Sequence, residues 1–325
     1  MNNLDKINKQ FVKNLKVGSR VNSYFKIDTI DRRSKKNGDP FLTLTISDAS
    51  GVISGVAWDN VETIQREISE SRIVFIVGEV GDYSGLQFNV KNVRKCAKDE
   101  YQIAALVKTI PNRDKIKEQI QEILFSGNNV WLKKLSEVFL KDESFIDKFM
   151  RAPGGWKWHH SYIGGLMRHT YEVMEICQKM CELHPEINRD ICLFGAFMHD
   201  IGKIFELKYD PVFEYTDRGK LIGHIILGNN FLLDKIKMIP DFPNDLEMEL
   251  QHILLSHQGE YEQRSPVLPQ TLEACVVYHA DNLDSQANAV KSVIFGTREK
   301  DQTWSKWLTI INRQLKLQEP LDQIF

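Results

Sequence analysis

Cysteine is scarce in this chain: five in 325 residues, an odd number with no CxxC pair. That argues against a disulfide framework and against a zinc ribbon. Cys177 and Cys181 lie one helical turn apart and read as small buried side chains rather than a metal pair. Long apolar runs are missing too; none approaches the ~20 residues of a membrane-spanning helix. The opening MNNLDKINKQ is polar, so no secretory signal, no membrane contact and a cytoplasmic location are expected. There is no internal repeat and no low-complexity segment. Overall charge of one sign is also lacking, with 42 Lys and Arg against 44 Asp and Glu. The balance hides an asymmetry: residues 1–97 hold 15 basic and 11 acidic side chains, and the remainder is acidic. A mildly basic module joined to an acidic one is the implied arrangement.

What is present divides the chain by period. Between residues 14 and 97 apolar residues alternate. In PFLTLTISD, Leu42, Leu44 and Ile46 share one face and Phe41, Thr43 and Thr45 the other. VGSRVNSYFKIDTI precedes it; GVISGVAWD, RIVFIVGEV and LQFNVKNVRK follow, giving five strands. One helical segment, NVETIQREISES, falls between the third and fourth. Five strands with a helix at that place predict an OB-fold, a small Greek-key barrel. From about residue 100 the period is helical. The expected organisation is an OB-fold over 1–97, a helical linker over 98–152 with a break at Ala152–Trp156, and an all-α domain over 153–325.

Inside the helical half, FMHDIGKIFEL places His199 and Asp200 side by side among residues built to pack. Further helices carry His169, His224 and Asp281, and His257 ends another. A lone buried histidine is usually a core residue with a hydrogen-bond partner. Several on separate helices form the pattern from which bundles build metal sites. Imidazoles and carboxylates together suit manganese, iron or zinc, with magnesium preferring more oxygen. Neighbouring helical residues point about 100° apart, so His199 and Asp200 reach one centre only at a helix end, or if Asp200 bridges two metals. Gly202, just beyond the pair, fits a helix terminus.

The order H…HD…H…H…D, with HD followed by Ile-Gly-Lys, resembles the HD-domain metal-dependent phosphohydrolases. The resemblance implies one metal on His169, His199, Asp200 and Asp281, and a second on His224 and His257 with Asp200 bridging. It also implies a catalytic part for Asp200. Lys203, one turn from His199, is placed to bind a phosphate oxygen; the alternative is a solvated lysine favoured by a helix C-terminus.

In the barrel, the loop DRRSKKNGD joins the first two strands and gathers Arg32, Arg33, Lys35 and Lys36 before an Asn-Gly turn. Such a cluster attracts phosphates. Phe25, Phe41 and Trp58 are candidate platforms for bases, or barrel-core aromatics. The barrel motifs together with HHSYIGGLMRHT, HDIGK, GHI, LLSHQG, SPVLPQTLEA and HADNLD resemble the YhaM-type 3′–5′ exoribonucleases of Gram-positive bacteria from about residue 14 to 290. That resemblance implies hydrolysis of single-stranded RNA, and also of single-stranded DNA, with two divalent metals per chain, manganese foremost. It gives His160 a substrate or supporting role, with a structural hydrogen bond as the alternative. His159, His252 and His279 stay unassigned. Two departures, Gln258 in place of a second histidine and EYEQRSPV without an aromatic-Gly step, bear on substrate preference. A small-nucleotide phosphohydrolase and a non-catalytic nucleic-acid binder are the competing readings. The tail with Trp304 and Trp307 is expected to be a docking helix, or else an aromatic clamp, and the oligomeric state is left open.

Overall fold

The computed structural model describes residues 8–83, 85–155, 160–209, 213–295, 302–309 and 311–318. Trp156 and His159 lie outside them. The chain divides into two compact units, Met1–Thr109 with Tyr209–Phe213, and Ile110–Lys208 with Glu214–Phe325.

The first unit is a closed barrel of β1 (Arg20–Ser34), β2 (Pro40–Asp48), β3 (Gly51–Ala57), β4 (Ile73–Asp82) and β5 (Leu86–Lys95). Around the barrel the order is β1-β2-β3-β5-β4, with β3 and β5 parallel. Helix α1 (Val61–Glu70) lies between β3 and β4 in the chain. That is the OB-fold topology. The alternation in β2 points Leu42, Leu44 and Ile46 inward, where they meet Phe25, Ile27 and Phe88. Val61, Ile64 and Ile68, one stripe of α1, join the same core. On the outer face Thr29 and Thr45 hydrogen-bond through their hydroxyls at 2.7 Å.

A short helix α2 (Ile103–Leu106) ends the first unit. The second is helical: α3 (Arg113–Phe125), α4 (Val130–Leu140), α5 (Glu143–Arg151), α6 (Gly165–Leu183), α7 (Arg189–Met198), α8 (Lys203–Glu206), α9 (Asp217–Leu221), α10 (His224–Ile236), α11 (Asn244–Ser256) and α12 (Leu272–Ile294). A two-stranded pairing of β6 (Leu207–Lys208) with β7 (Glu214–Tyr215) interrupts the series. The segment read as a linker contributes α3, α4 and α5 to this unit, packed on α6 and α7. Helix α7 is central, with every residue from Ile191 to Met198 buried. Phe139, Phe145, Phe194, Phe197 and Phe231 pack edge-on and tilted, with centroids 5.4–6.4 Å apart, as aromatic quadrupoles prefer. They form a stiff floor next to the His199–Asp200 pair.

The described residues of the tail form no helix. Among them, Trp304 pairs with Lys316 and Leu308 with Arg313, both antiparallel. Asn312 takes φ 48°, a left-handed value that a helix cannot pass through and that Asn tolerates in turns.

Candidate metal centre

Five helices, with the turn that follows one of them, deliver the six expected ligands. His169 lies on the buried stripe of α6 with Leu166, Thr170 and Val173. His224 is the first residue of α10, and Asp281 sits midway along α12. His199 and His257 are the C-cap residues of α7 and α11. Beyond α7 the chain tightens, with Ile201 N–H donating to Met198 O and Lys203 N–H to Asp200 O, both three residues back. The tightened turn brings Asp200 to the same side as His199.

The donor atoms of the six expected ligands fall into two groups, His169–His199–Asp281 and Asp200–His224–His257, and a third cluster, His160–His169–Asp284, shares His169 with the first. In the first, His169 Nε2 lies 3.1 Å from His199 Nε2 and 3.1 Å from Asp281 Oδ1. In the second, Asp200 Oδ1 lies 3.5 Å from both His224 Nε2 and His257 Nε2. Asp200 Oδ2 turns the other way, 3.5 Å from His169 Nε2 and from His199 Nε2. One carboxylate thus faces both groups. Metal–ligand bonds of ~2.0–2.2 Å place neighbouring donors at such separations.

A second layer sets the proton on each ring. His199 Nδ1 is 2.8 Å from Ala196 O, and His257 Nδ1 2.7 Å from Leu254 O. His224 Nδ1 meets Glu206 Oε1 at 3.1 Å, and His169 Nδ1 meets Asp284 Oδ2 at 2.6 Å. These partners are acceptors, so Nδ1 carries the proton and Nε2 keeps its lone pair for a cation. Asp284 also receives His160 Nε2 at 2.8 Å, and Tyr162 Oη holds His160 Nδ1 at 2.8 Å. His160 therefore stands behind His169, away from the two donor groups, at a left-handed φ of 45°.

The charges favour a cation. Burial opposes ionisation of Asp200, yet Lys203, His199 and His169 hold its carboxyl well below the usual range. Asp281 and Asp284 are likewise held low against burial by His169 and its neighbours. Burial also works against a charged His169, but Asp200, Asp281 and Asp284 raise it well above an ordinary histidine. Burial lowers His257 and keeps it neutral, the form that ligates. Asp200 Oδ1 and His224 Nε2 are buried with no hydrogen-bond partner. Two orphaned buried acceptors are costly unless something positive lies between them. The donor set fits divalent cations.

Lys203 is 8% exposed; its ammonium pairs with Asp200 Oδ2 and donates to Gly154 O at 2.7 Å. It is a buried partner of the carboxylate that faces both donor groups, so the solvated reading does not hold. Gly202 does not terminate a helix in a left-handed conformation: its φ is −67°, just before α8. A Cβ there would stand 1.9 Å from His224 O, so Gly202 is required for the close approach of α10. His252 accepts from Gln270 N–H at 2.9 Å, and His279 stacks obliquely beside Tyr278; neither is in a donor group. A pocket of 620 Å³ opens on the cluster, lined by Lys203, His257, Tyr278, Asp281, Asn312 and Arg313 among others. Asp284 and Glu206 were not singled out from sequence. The i, i+3 spacing of Asp281 and Asp284 on one helix was the signal for the first.

On the barrel, Phe41 and Trp58 stack at 4.8 Å with ring planes 26° apart, and Trp58 is 41% exposed. Lys35 Nζ donates to Trp58 O at 3.0 Å. Arg33 and Lys36 are exposed, whereas Arg32 pairs with Glu62 at 3.0 Å. Phe25 is no platform: it is fully buried against Phe88, and the inward side of β1 decides that.

Residues 166–286 match the HD domain family. The chain is 31% identical to the 3′-5′ exoribonuclease YhaM of Geobacillus sp. (strain WCH70), covering 84% of this chain and 85% of the relative. It is 30% identical to the 3′-5′ exoribonuclease YhaM of Bacillus velezensis over 83% and 86%. With that of Listeria monocytogenes serotype 4b it shares 28% over 87% and 90%. No described helix is long and apolar enough to cross a membrane. With an OB barrel before an HD domain, and relatives of this identity aligned over most of both chains, this chain belongs to the YhaM family of 3′–5′ exoribonucleases.

Proposed function

We propose that this protein is a metal-dependent 3′–5′ exoribonuclease that shortens single-stranded RNA one nucleotide at a time, releases nucleoside 5′-monophosphates, and cuts single-stranded DNA more slowly. The observation that carries the reading is the pair of donor groups sharing Asp200. His169, His199, Asp281 and Asp200 Oδ2 would hold one cation; Asp200 Oδ1, His224 and His257 the other. Manganese suits the mixture of imidazole and carboxylate, with iron and magnesium as alternatives. Two such cations supply an acidified water and neutralise charge on the phosphoryl oxygens.

The chain's own groups do the rest. Asp284 and Glu206, with the carbonyls of Ala196 and Leu254, hold the four imidazoles as Nε2 donors. Lys203 steadies Asp200 and offers an ammonium at the pocket to a phosphate oxygen. On the barrel, Trp58 with Phe41 gives a base a face to stack on, while Arg33, Lys35 and Lys36 attract the backbone, assisted by Arg32. Water oxygen attacks the terminal phosphorus, the P–O3′ bond breaks, and O3′ of the penultimate nucleotide takes up a proton. The phosphate leaves on the released nucleotide, and no 2′-hydroxyl takes part.

A time course on 5′-labelled RNA with a 3′ single-stranded tail and an internal hairpin tests the reading. A ladder that shortens stepwise to the hairpin supports it. Internal fragments, 2′,3′-cyclic phosphates or shortening from the 5′ end would overturn it. Intact RNA alongside hydrolysed mononucleotides would instead make the protein a small-nucleotide phosphohydrolase.

A further inference from the structure

The C-terminal hairpin reaches the same pocket as the metal ligands. We infer that it is a substrate-binding element, and that Arg313 grips the backbone phosphate one nucleotide upstream of the scissile linkage. The inference rests on the exonuclease reading. Ile311, Asn312 and Arg313 line the 620 Å³ pocket together with Lys203, His257 and Asp281. A volume in the range ~300–1,000 Å³ is that of a small-ligand site, enough for part of a single strand.

The hairpin is braced. Ser305, 6% exposed, donates its N–H to Leu315 O at 2.8 Å and accepts Leu315 N–H on its hydroxyl at 2.9 Å. Leu317 N–H donates to Thr303 O at 2.9 Å, and Gln318 N–H to Ile294 O at 3.2 Å. The last bond ties the hairpin to α12, which carries Asp281. Leu308 N–H donates to Arg313 O at 3.0 Å, so the arginine leaves a fixed point of the turn.

The two long-chain cations of the pocket differ in their commitments. Lys203 is paired with Asp200 and Gly154. Arg313 donates Nε to Ile311 O at 2.9 Å, and among the described residues no carboxylate lies within ion-pair distance of it. That bond orients the guanidinium and leaves both terminal nitrogens for an incoming acceptor, a geometry suited to phosphate. Arg313 shares the pocket with His257 and Asp281 but makes no ion pair with Asp200 or Asp281, so its charge is not spent on the ligand carboxylates and is assigned to a phosphate other than the scissile one. The next negative charge on a single strand is the neighbouring phosphate. The rest of the lining is Tyr278 and uncharged amides such as Gln258, Asn282 and Gln286. These offer ring and hydrogen-bond contacts that any base or ribose can use, as an enzyme removing all four nucleotides requires.

The test is binding of a 5′-fluorescent single-stranded tetranucleotide, measured by anisotropy in chelator so that nothing is cut. Arg313→Ala should bind about ten-fold more weakly, the scale of one charge-assisted hydrogen bond. Arg313→Lys should fall between the two. Replacing the upstream linkage by a neutral methylphosphonate should weaken the wild type by about the same factor and leave Arg313→Ala no weaker than before. In manganese, the KM of Arg313→Ala for RNA should rise more than its kcat falls. Equal affinities for the natural strand, or a wild-type advantage that persists on the neutral linkage, would overturn the inference. Failure of the exonuclease reading would show separately, as RNA left intact by wild type, and the binding measurement does not depend on it.

Discussion

Asp200 faces two donor groups with its two oxygens and a buried ammonium with one of them. Removing it does two separable things. The bridging donor goes, and Lys203 is left buried with only a carbonyl. Asp200→Ala should therefore be inactive and, in chelator, less stable by about 3–5 kcal/mol, the cost of a widowed buried charge. Adding Lys203→Met should restore part of the stability and none of the activity. Urea unfolding of the three proteins measures this, and an Asp200→Ala protein as stable as wild type would show that the ion pair is not what holds Lys203. Asp284 acts one step back, through His169 Nδ1. Asp284→Ala should lower metal affinity about 10–100-fold with every ligand still present. Competition with a chelator reads it; an unchanged affinity would make the 2.6 Å contact merely structural. The ligand histidines were legible in sequence because their order along the chain is distinctive. Asp284 was not, since its importance comes from what lies across the bundle.

At the scale of elements, the site depends on how helices end. Helices α7 and α11 both finish on a histidine whose Nδ1 returns to a carbonyl three residues back. Helix α10 begins on a third, held against Gly202. A methyl at 202 would meet backbone, which cannot rotate away. Gly202→Ala should cost about 1–3 kcal/mol and displace His224; a fall in metal content beside a lowered melting temperature is the expected pair of readings. Helix α5 shows a different device. Asp142 caps it, accepting from Phe145 N–H at 3.0 Å, and pairs with Lys235 at 2.6 Å. Chiefly the hydrogen bond from Lys235 holds its carboxyl below the ordinary carboxylate range. A carboxyl lowered in the folded state adds stability that is complete above its unfolded pKa, about 3.9, and is lost as pH falls through the folded value. Asp142→Asn keeps the cap but not the charge. Its stability deficit should be constant above about pH 5 and shrink on further acidification, as paired urea titrations would show; a gap independent of pH would rule the ion pair out. The sequence reading placed ESFIDKFMR in a helical linker without giving it its own helix, because it is short and its helicity rests on a cap and on packing by Phe145 and Phe149.

For the molecule as a whole, the composition separates a basic barrel from an acidic helical unit, and the salt response should report the first. Single-strand binding changes by about 0.7 in log–log slope per neutralised phosphate. Arg32 is engaged with Glu62, so three cations at the end of β1 and in the turn after it, Arg33, Lys35 and Lys36, are available. Replacing Arg32, Arg33, Lys35 and Lys36 by Ser should flatten the slope by about 2 rather than about 3. An unchanged slope would mean that the loop is a solvated turn.

The sequence by itself determined the barrel, the succession of helices and the order of the candidate ligands along the chain. Period two against period 3.6 is a local property of a chain, and the HD pattern is a matter of order. Only the tertiary structure decided that Phe25 is core while Trp58 is exposed, because strands of one composition differ in which face closes on the barrel. It decided that Gly202 serves packing rather than a turn, since the atom it must avoid, His224 O, is 22 residues away. It also decided that the tail, expected to be a docking helix or an aromatic clamp, doubles back at Asn312 and brings Arg313 to the pocket beside the donor groups. A reversal of that kind rests on one left-handed residue and on hydrogen bonds across the hairpin, and neither leaves a periodic trace in the sequence.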